Sequence, residues 1–210
     1  MTGRLTCRQY DGDGHGVLVL PGFIAGDGST MPLRWALQAH GYAAHGWGLG
    51  RNDGRTGRIT TGLRERLAEL ARRERISLVG WSLGGVYARQ LARERPDLIR
   101  QVITLGSPFR AVEGHHRRPL TVPSTSIYTR DDGVVRWQLS IDETGPGAAN
   151  PRAENIEVYG THIGLGVSPT VILAILDRLA QPEDAWQPFR PPLALRPFYP
   201  ASRSPQGRAA

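Results

Sequence analysis

The sequence predicts an α/β fold in which helices cover both faces of a mostly parallel central sheet. Short apolar runs rich in β-branched and aromatic residues alternate with amphipathic helical segments along the chain. Turn residues, above all the 26 glycines and 16 prolines, separate these segments. The strand-like runs are mostly apolar, without a strict alternation of apolar and polar residues, which is typical of strands that are buried on both faces.

Six apolar runs are the predicted strands, and each one is short and bounded by turn residues. They cover residues 17–20, 42–47, 76–79, 102–105, 126–128 and 156–159. Helical periodicity predicts four helices, at residues 31–40, 63–74, 86–95 and 169–180. Gly41 stands just after the first helix, Pro96 stops the third, and Ser168 followed by Pro169 opens the fourth. Alternation of this kind predicts parallel strands that are joined by crossover helices.

The composition predicts one folded domain followed by a tail. A chain of 210 residues with 40% hydrophobic content can bury one substantial core, and we assign that core to residues 1–181. Residues 182–210 are rich in proline and arginine, and proline at that density blocks both helices and sheet ladders. We expect this tail to be partly packed through its aromatic side chains and disordered from residue 202 onward. The aromatic residues in question are Trp186, Phe189, Phe198 and Tyr199.

The charge pattern argues against a nucleic-acid partner. All 26 basic residues are arginine, and the net charge is +7, but the arginines interleave with glutamates in a way that is typical of solvated helix faces. The sequence contains no zinc-finger, basic-zipper or RNA-binding signature. No apolar stretch reaches the roughly 18 residues needed to cross a bilayer, and the first residues lack the apolar region of a signal peptide. With Cys7 as the only cysteine, the sequence predicts a cytoplasmic protein without disulfides.

The segment GWSLG, at residues 80–84, lies between a predicted strand and a predicted helix. This G-x-S-x-G pattern in that context is typical of a nucleophilic serine, here Ser82. A sharp turn lifts the hydroxyl above the sheet, and Gly80 and Gly84 avoid the collisions that side chains would cause there. Two phosphate-binding alternatives fail. A P-loop needs a lysine, which the chain lacks, and the glycines at 46, 48 and 50 are followed by Arg51 where a dinucleotide motif needs glycine.

A serine is a weak nucleophile at its ordinary pKa, so a neighbouring base must take its proton. In this architecture the chain order is serine, acid, histidine. Among the six histidines only His162 follows the last predicted strand, and we expect it to be the base. The acid is expected just after the preceding strand, where Asp131 and Asp132 are adjacent. Asp132 is favoured because a glycine and a second apolar segment follow it, and it would hold the imidazole in the productive tautomer.

An oxyanion hole needs two backbone N–H groups that point at the developing negative charge. One is expected from Leu83, which follows the nucleophile. The other is expected from Phe23, in the segment LPGF after the first strand, where Gly22 permits close approach of the backbone. An apolar acyl pocket is predicted nearby, although each of its side chains is equally compatible with an ordinary core position. The pocket residues are Phe23, Ile24, Phe109, Trp137, Leu139 and Leu165.

Four segments together resemble the α/β-hydrolase family: LPGF, GWSLGG, YTRDDGVV and GTHIGLG. The last two are similar to those of small, lidless bacterial lipases and esterases. The resemblance covers residues 17–180, and it again selects Asp132 as the acid. It implies a three-layer α/β-hydrolase fold without a cap domain, because residues 107–123 are too few for a helical cap. Pro21 stands where the family usually has a histidine.

The resemblance implies an esterase or lipase-like serine hydrolase that acts on a small-molecule or lipid ester. Such chemistry needs no metal or organic cofactor, because the nucleophile and the electrostatic groups belong to the protein. An acyltransferase, thioesterase, perhydrolase or amidase would use the same triad, and a non-catalytic binding protein with a partner-recruiting tail is the alternative from another class. The LGSP segment at residues 105–108 is similar to lipase-like members, including those with membrane substrates, so peripheral membrane contact is compatible with the sequence. An open cleft predicts activity that rises with substrate concentration below the micelle limit.

Overall fold

Six parallel strands form a single sheet in a computed structural model of the chain, which describes residues 10–112, 118–143 and 150–200. The strand order is β2-β1-β3-β4-β5-β6, and each neighbouring pair runs parallel. The strands are β1 (Gly16–Leu20), β2 (Ala43–Gly46), β3 (Ile76–Trp81), β4 (Ile99–Leu105), β5 (Ser124–Tyr128) and β6 (Ala153–Glu157). The predicted parallel sheet is thereby confirmed. Because all six strands point the same way, the loops that follow them meet at one edge of the sheet.

Among the residues that the structure describes, four α-helices connect or follow the strands. They are α1 (Met31–Ala39), α2 (Thr56–Leu70), α3 (Leu83–Glu94) and α4 (Pro169–Leu179). Short 3₁₀ turns occupy parts of the remaining loops, among them Phe109–Ala111 between β4 and β5. None of the helices in the described ranges is long and apolar enough to cross a membrane.

Each face of the sheet has its own hydrophobic core, as the predicted three-layer arrangement requires. Alternate residues of one strand enter opposite cores: Val17 and Val19 pack with α1 and α4, whereas Leu18 and Leu20 pack with α2 and α3. A parallel strand that is covered on both faces has no solvent side, which explains why β1 is apolar and buried at every position.

The extents of all the strands and helices differ from the sequence prediction by at least one residue, and those of α2 and β6 are among the largest differences. Strand β6 begins three residues before the predicted run, because it lies at the sheet edge and includes the partly buried polar residues Glu154 and Asn155. Helix α2 begins at Thr56 rather than at residue 63, since Ile59 extends the buried stripe by one turn. Apolar content alone therefore misplaces the ends of elements that are only partly covered.

The start of the predicted tail packs against the main body. Tyr199 donates from its hydroxyl to the carbonyl of Thr170 at 2.7 Å and meets the ring of Phe189 edge to face at 5.0 Å between centroids. The N–H of Phe189 donates to Glu154 at 2.7 Å, next to the sheet edge. Trp186 is half-buried and Phe198 is largely exposed. The segment predicted to be disordered, like Cys7, lies outside the described residues.

Candidate active site

Ser82 occupies a strained turn between a strand and a helix. Strand β3 ends at Trp81, helix α3 begins at Leu83, and Ser82 between them has φ 53° and ψ −123°. This conformation is uncommon for any residue other than glycine, and such strain clusters at functional sites. The N–H of Ser82 donates to the carbonyl of Leu105 at 2.8 Å, so strand β4 helps to hold the turn.

The glycines around Ser82 permit close approaches that a side chain would prevent. A Cβ at Gly80 would lie 2.5 Å from the backbone nitrogen of Gly85, and one at Gly84 would lie 2.7 Å from the carbonyl oxygen of Pro21. A Cβ at Gly85 would lie 2.7 Å from Cβ of Ser107. The first helical turn therefore packs directly against the loop after β1, and the steric expectation from the G-x-S-x-G pattern holds.

His162 and Asp132 form a buried pair after β6 and β5. His162 Nδ1 lies 2.8 Å from Asp132 Oδ2, and the His162 N–H donates to the Asp132 carbonyl at 3.0 Å. The other carboxylate oxygen of Asp132 accepts the N–H groups of Val134 and Val135. In the neutral imidazole, the tautomer that donates from Nδ1 to this carboxylate leaves the lone pair on Nε2. Asp131 is exposed to solvent.

Trp81 and Gly106 fix the histidine loop from the side of the nucleophile. The indole nitrogen of Trp81 donates to the carbonyl of His162 at 3.1 Å. At Gly106, which has φ 50°, a Cβ would lie 2.8 Å from Asp132 Oδ2 and 3.2 Å from His162 Nδ1. Sequence reasoning missed both residues, although Trp81 lies inside the motif that identified Ser82.

The structure does not complete a hydrogen bond between Ser82 and His162. In the part of the chain that the structure describes, the Ser82 hydroxyl has no hydrogen-bond partner. Trp81, which directly precedes Ser82, contacts His162. Ser82 and His162 therefore lie at the same edge of the sheet. Catalytic hydrogen bonds are often long in unliganded enzymes and shorten when substrate binds.

Two backbone N–H groups near Ser82 are free to bind an anion. Within the described ranges, neither the N–H of Phe23 nor that of Leu83 donates to a protein acceptor. A Cβ at Gly22 would lie 3.2 Å from Cβ of Ser82, which places the loop before Phe23 against the serine. Leu83 is the first residue of α3, where the helix dipole favours negative charge. These are the two N–H groups that the sequence predicts for an oxyanion hole, and that role stays a prediction.

The loop that carries Phe23 is held by Asn52, which sequence reasoning missed. Asn52 is fully buried, and its side-chain nitrogen donates to the carbonyl of Pro21 at 3.0 Å. The sequence signal that could have pointed to Asn52 is the glycine-rich stretch after β2. At the level of the sequence, this stretch was compared only with a dinucleotide-binding motif.

The predicted pocket residues fall into two groups. Phe23 and Ile24 lie on the loop beside Ser82 and are 57% and 52% exposed. Phe109 and Leu165 are buried, and the guanidinium of Arg89 lies 4.0 Å above the Phe109 ring. Phe23 and Ile24 are therefore the accessible apolar side chains of the predicted set that lie nearest to the serine loop.

The remaining pocket candidates are half-buried. Trp137 stacks on Tyr128 with ring centroids 5.8 Å apart and lies under the guanidinium of Arg130. Leu139 ends the same short 3₁₀ turn. No cluster of three or more His, Cys, Asp or Glu side chains that could hold a metal ion occurs among the described residues.

Comparison with known proteins gives matches at the level of three-dimensional structure. No family model matches the sequence, and no curated protein sequence matches it either. A thioesterase domain from the curacin biosynthetic pathway matches with a TM-score of 0.63 at 12% identity, covering 81% of this chain and 92% of the other. The pyrethroid hydrolase PytH matches with a TM-score of 0.62 at 15% identity, covering 81% and 99%.

A third similar structure comes from work on the metagenome-derived lipolytic enzymes LipS and LipT. It has a TM-score of 0.60 at 16% identity and covers 80% of this chain and 92% of the other. All three comparisons span most of both chains at low sequence identity, so they bear on the fold. Together with the strand order and the turn at Ser82, they establish that this chain has the α/β-hydrolase fold.

Proposed function

We propose that the protein is a serine hydrolase that cleaves carboxylic esters through an acyl-enzyme intermediate. The observation that carries this proposal is the strained turn at Ser82, which lies at the same sheet edge as the buried His162–Asp132 pair and beside two free N–H groups. An ordinary strand-to-helix turn has no need of a positive φ at serine.

In the first step, His162 Nε2 takes the hydroxyl proton of Ser82 while Oγ attacks the ester carbonyl. The carbonyl oxygen becomes an oxyanion that the N–H groups of Phe23 and Leu83 bind. The carbon–oxygen bond to the alcohol then breaks, and the alcohol leaves with the proton from His162. In the second step, His162 takes a proton from water as the water oxygen attacks the acyl-Ser82 carbonyl. The bond to Ser82 Oγ then breaks, His162 returns the proton to Oγ, and the free acid leaves. Asp132 holds the imidazole tautomer throughout.

The proposed substrate is a small-molecule or lipid ester with an accessible carbonyl. Between β4 and β5 the described residues contain one three-residue 3₁₀ turn, at Phe109–Ala111, and the segment has no room for a helical cap. Phe23 and Ile24 offer apolar surface to an acyl chain. We expect hydrolysis to rise smoothly with substrate concentration below the micelle limit, and a jump only above that limit would contradict an open cleft. A cytoplasmic location stays a prediction.

The decisive experiment compares Ser82, which directly follows β3, with Ser77, which lies within β3. A fluorophosphonate probe and p-nitrophenyl esters of graded chain length are applied to wild type, Ser82→Ala and Ser77→Ala. Because Ser82 is the proposed nucleophile, we expect its replacement to abolish labelling and to lower turnover by about 10³-fold or more. Ser77 is buried in β3, so Ser77→Ala should label like wild type. A folded wild type that neither labels nor turns over would contradict the proposal.

A further inference from the structure

Two loops at the carboxyl edge of the sheet pack against each other with little space between them. We call residues 21–25 the oxyanion loop and residues 46–54 the glycine loop. A Cβ at Gly54 would lie 3.2 Å from the Phe23 ring, and a Cβ at Gly26 would lie 3.0 Å from the carbonyl oxygen of Gly50. The glycines that resembled an incomplete dinucleotide motif therefore belong to a segment that packs closely against the oxyanion loop.

Asn52 of the glycine loop makes hydrogen bonds to the backbone on both sides of the peptide group that carries the Phe23 N–H. Its side-chain nitrogen donates to the carbonyl of Pro21 at 3.0 Å, and its own carbonyl accepts the N–H of Ile24 at 2.7 Å. The side-chain oxygen accepts the N–H of Gly54 at 3.3 Å, which orients the amide so that nitrogen faces Pro21. Since Pro21 and Ile24 flank Gly22 and Phe23, these bonds restrict rotation of the peptide that carries the Phe23 N–H.

The oxyanion loop is strained, and further hydrogen bonds oppose its relaxation. Ile24 has φ 63°, a conformation that is a genuine outlier for a β-branched residue. Arg51 Nε donates to the carbonyl of Ile24 at 3.1 Å, and the Asn52 N–H donates to the carbonyl of Ala25 at 2.8 Å. Strain of this kind persists only when the surroundings over-determine it. Here the surroundings are residues of the glycine loop.

We propose that Asn52 is a positioning residue that fixes the direction of the Phe23 N–H toward the oxyanion. It acts through the Pro21 carbonyl and the Ile24 N–H, and it touches neither substrate nor reacting atoms. This inference rests on the proposed hydrolase function. It also explains how the oxyanion loop is held where Pro21 replaces a histidine, because the Asn52 side chain supplies an anchoring bond to the backbone.

Asn150 provides a matched control at the opposite edge of the sheet. It is also a buried asparagine, its side-chain nitrogen donates to the carbonyl of Val122 at 3.0 Å, and its side-chain oxygen accepts the N–H of Arg152 at 3.0 Å. The two asparagines thus make the same two kinds of side-chain bond. Replacing each by alanine removes equivalent bonds, and only the change at Asn52 disturbs the Phe23 peptide.

The experiment measures kcat, KM and Tm for a soluble p-nitrophenyl ester with wild type, Asn52→Ala and Asn150→Ala. We expect Asn52→Ala to lower kcat by roughly 10- to 100-fold with KM within about two-fold, since the oxyanion forms only after substrate has bound. Asn150→Ala should lower Tm by a similar amount while kcat stays within about two-fold. Asn52→Asp and Asn150→Asp repeat the comparison with isosteric side chains in case either alanine variant fails to fold.

The outcomes separate this inference from the function on which it rests. A wild type without Ser82-dependent turnover would overturn the proposed function and this role together. An active wild type whose kcat is unchanged in the Asn52 variants, or falls equally in the Asn150 variants, would overturn the positioning role alone. A loss that appears in KM rather than in kcat would also overturn it.

Discussion

Two groupings of serine, histidine and carboxylate lie at opposite edges of the same sheet. At the carboxyl edge are Ser82, His162 and Asp132. At the amino edge His15 Nε2 lies 2.8 Å from the hydroxyl of Ser77, and His15 Nδ1 lies 3.9 Å from the carboxylate of Glu74. The amino-edge group contains the serine–histidine hydrogen bond that the carboxyl-edge group lacks in this structure. Side-chain contacts alone would therefore favour Ser77 over Ser82, the proposed nucleophile.

Backbone and access distinguish the two groups. Ser77 lies within β3, pairs with Val17 and Gln101, and is fully buried, so no carbonyl group can reach its hydroxyl. Ser82 follows the end of the same strand, stands at a helix N-terminus and lies beside free N–H groups. A nucleophile needs an approach path and a place for the developing charge as well as a base.

The electrostatic environments of the two histidines also differ in kind. Burial, assisted by the positive charge of Arg100 and opposed by Glu74, lowers the pKa of His15 to about 4. His15 is therefore neutral in the folded protein through the physiological range, and it serves as a hydrogen-bond partner inside the structure. His162 Nδ1 instead lies 2.8 Å from the buried carboxylate of Asp132.

The largest expected difference in kcat/KM comes from replacing the carboxylate of the carboxyl-edge group and, for comparison, that of the amino-edge group. Asp132→Asn should lower kcat/KM by about 10²- to 10⁴-fold, because an amide at this position no longer holds the imidazole in the productive tautomer. Glu74→Gln keeps an acceptor for the Gly16 N–H and should leave kcat/KM within about two-fold. Steady-state kinetics of both variants on one ester measure this difference in kcat/KM. Comparable losses in Asp131→Asn and Asp132→Asn would remove the distinction between the adjacent carboxylates.

An intermediate effect is expected from adding a methyl group at each edge. Gly106 has φ 50° and Gly14 has φ 77°, so alanine at either position costs about 1 kcal/mol of folding free energy. Only the Cβ at Gly106 would press on Asp132 and His162, since nothing lies within 4 Å of one at Gly14. Gly106→Ala should therefore lower kcat about 10-fold or more, whereas Gly14→Ala should lower Tm alone. Equal kcat values in the two variants would refute the idea that the absence of a side chain at Gly106 keeps Asp132 and His162 in place.

The last expected effect is on stability at mildly acidic pH rather than on activity. Because the pKa of His15 is about 4 when folded and about 6.5 when unfolded, the unfolded chain binds the proton first as pH falls. The contribution of neutral His15 is complete above pH 6.5 and decreases as pH falls toward 4, by up to about 3 kcal/mol. Denaturant unfolding of wild type and His15→Gln across this range should show a shallower pH dependence in the variant. Parallel curves would mean that His15 titrates normally.

The sequence predicted some parts of the site because their signals are local. The turn at Ser82 depends on Gly80, Gly84 and a strand and helix that adjoin it, all within a few residues. His162 could be selected by its place after the last strand. In contrast, the extent of β6 was misjudged because edge strands tolerate polar residues such as Glu154, so apolar content does not mark their ends.

The sequence by itself determined the parallel α/β fold and the position of the candidate nucleophile, since strand and helix periodicity and the glycine turn are set by neighbouring residues. The sequence also favoured Asp132 over Asp131 as the partner of His162, and the side chains of Asp132 and His162 are in contact in the structure. Only the tertiary structure decided that Trp81 anchors the histidine loop and that Asn52 holds the oxyanion loop. These contacts join loops that follow different strands. Their geometry depends on strand order and on how closely the loops approach, which no local pattern encodes.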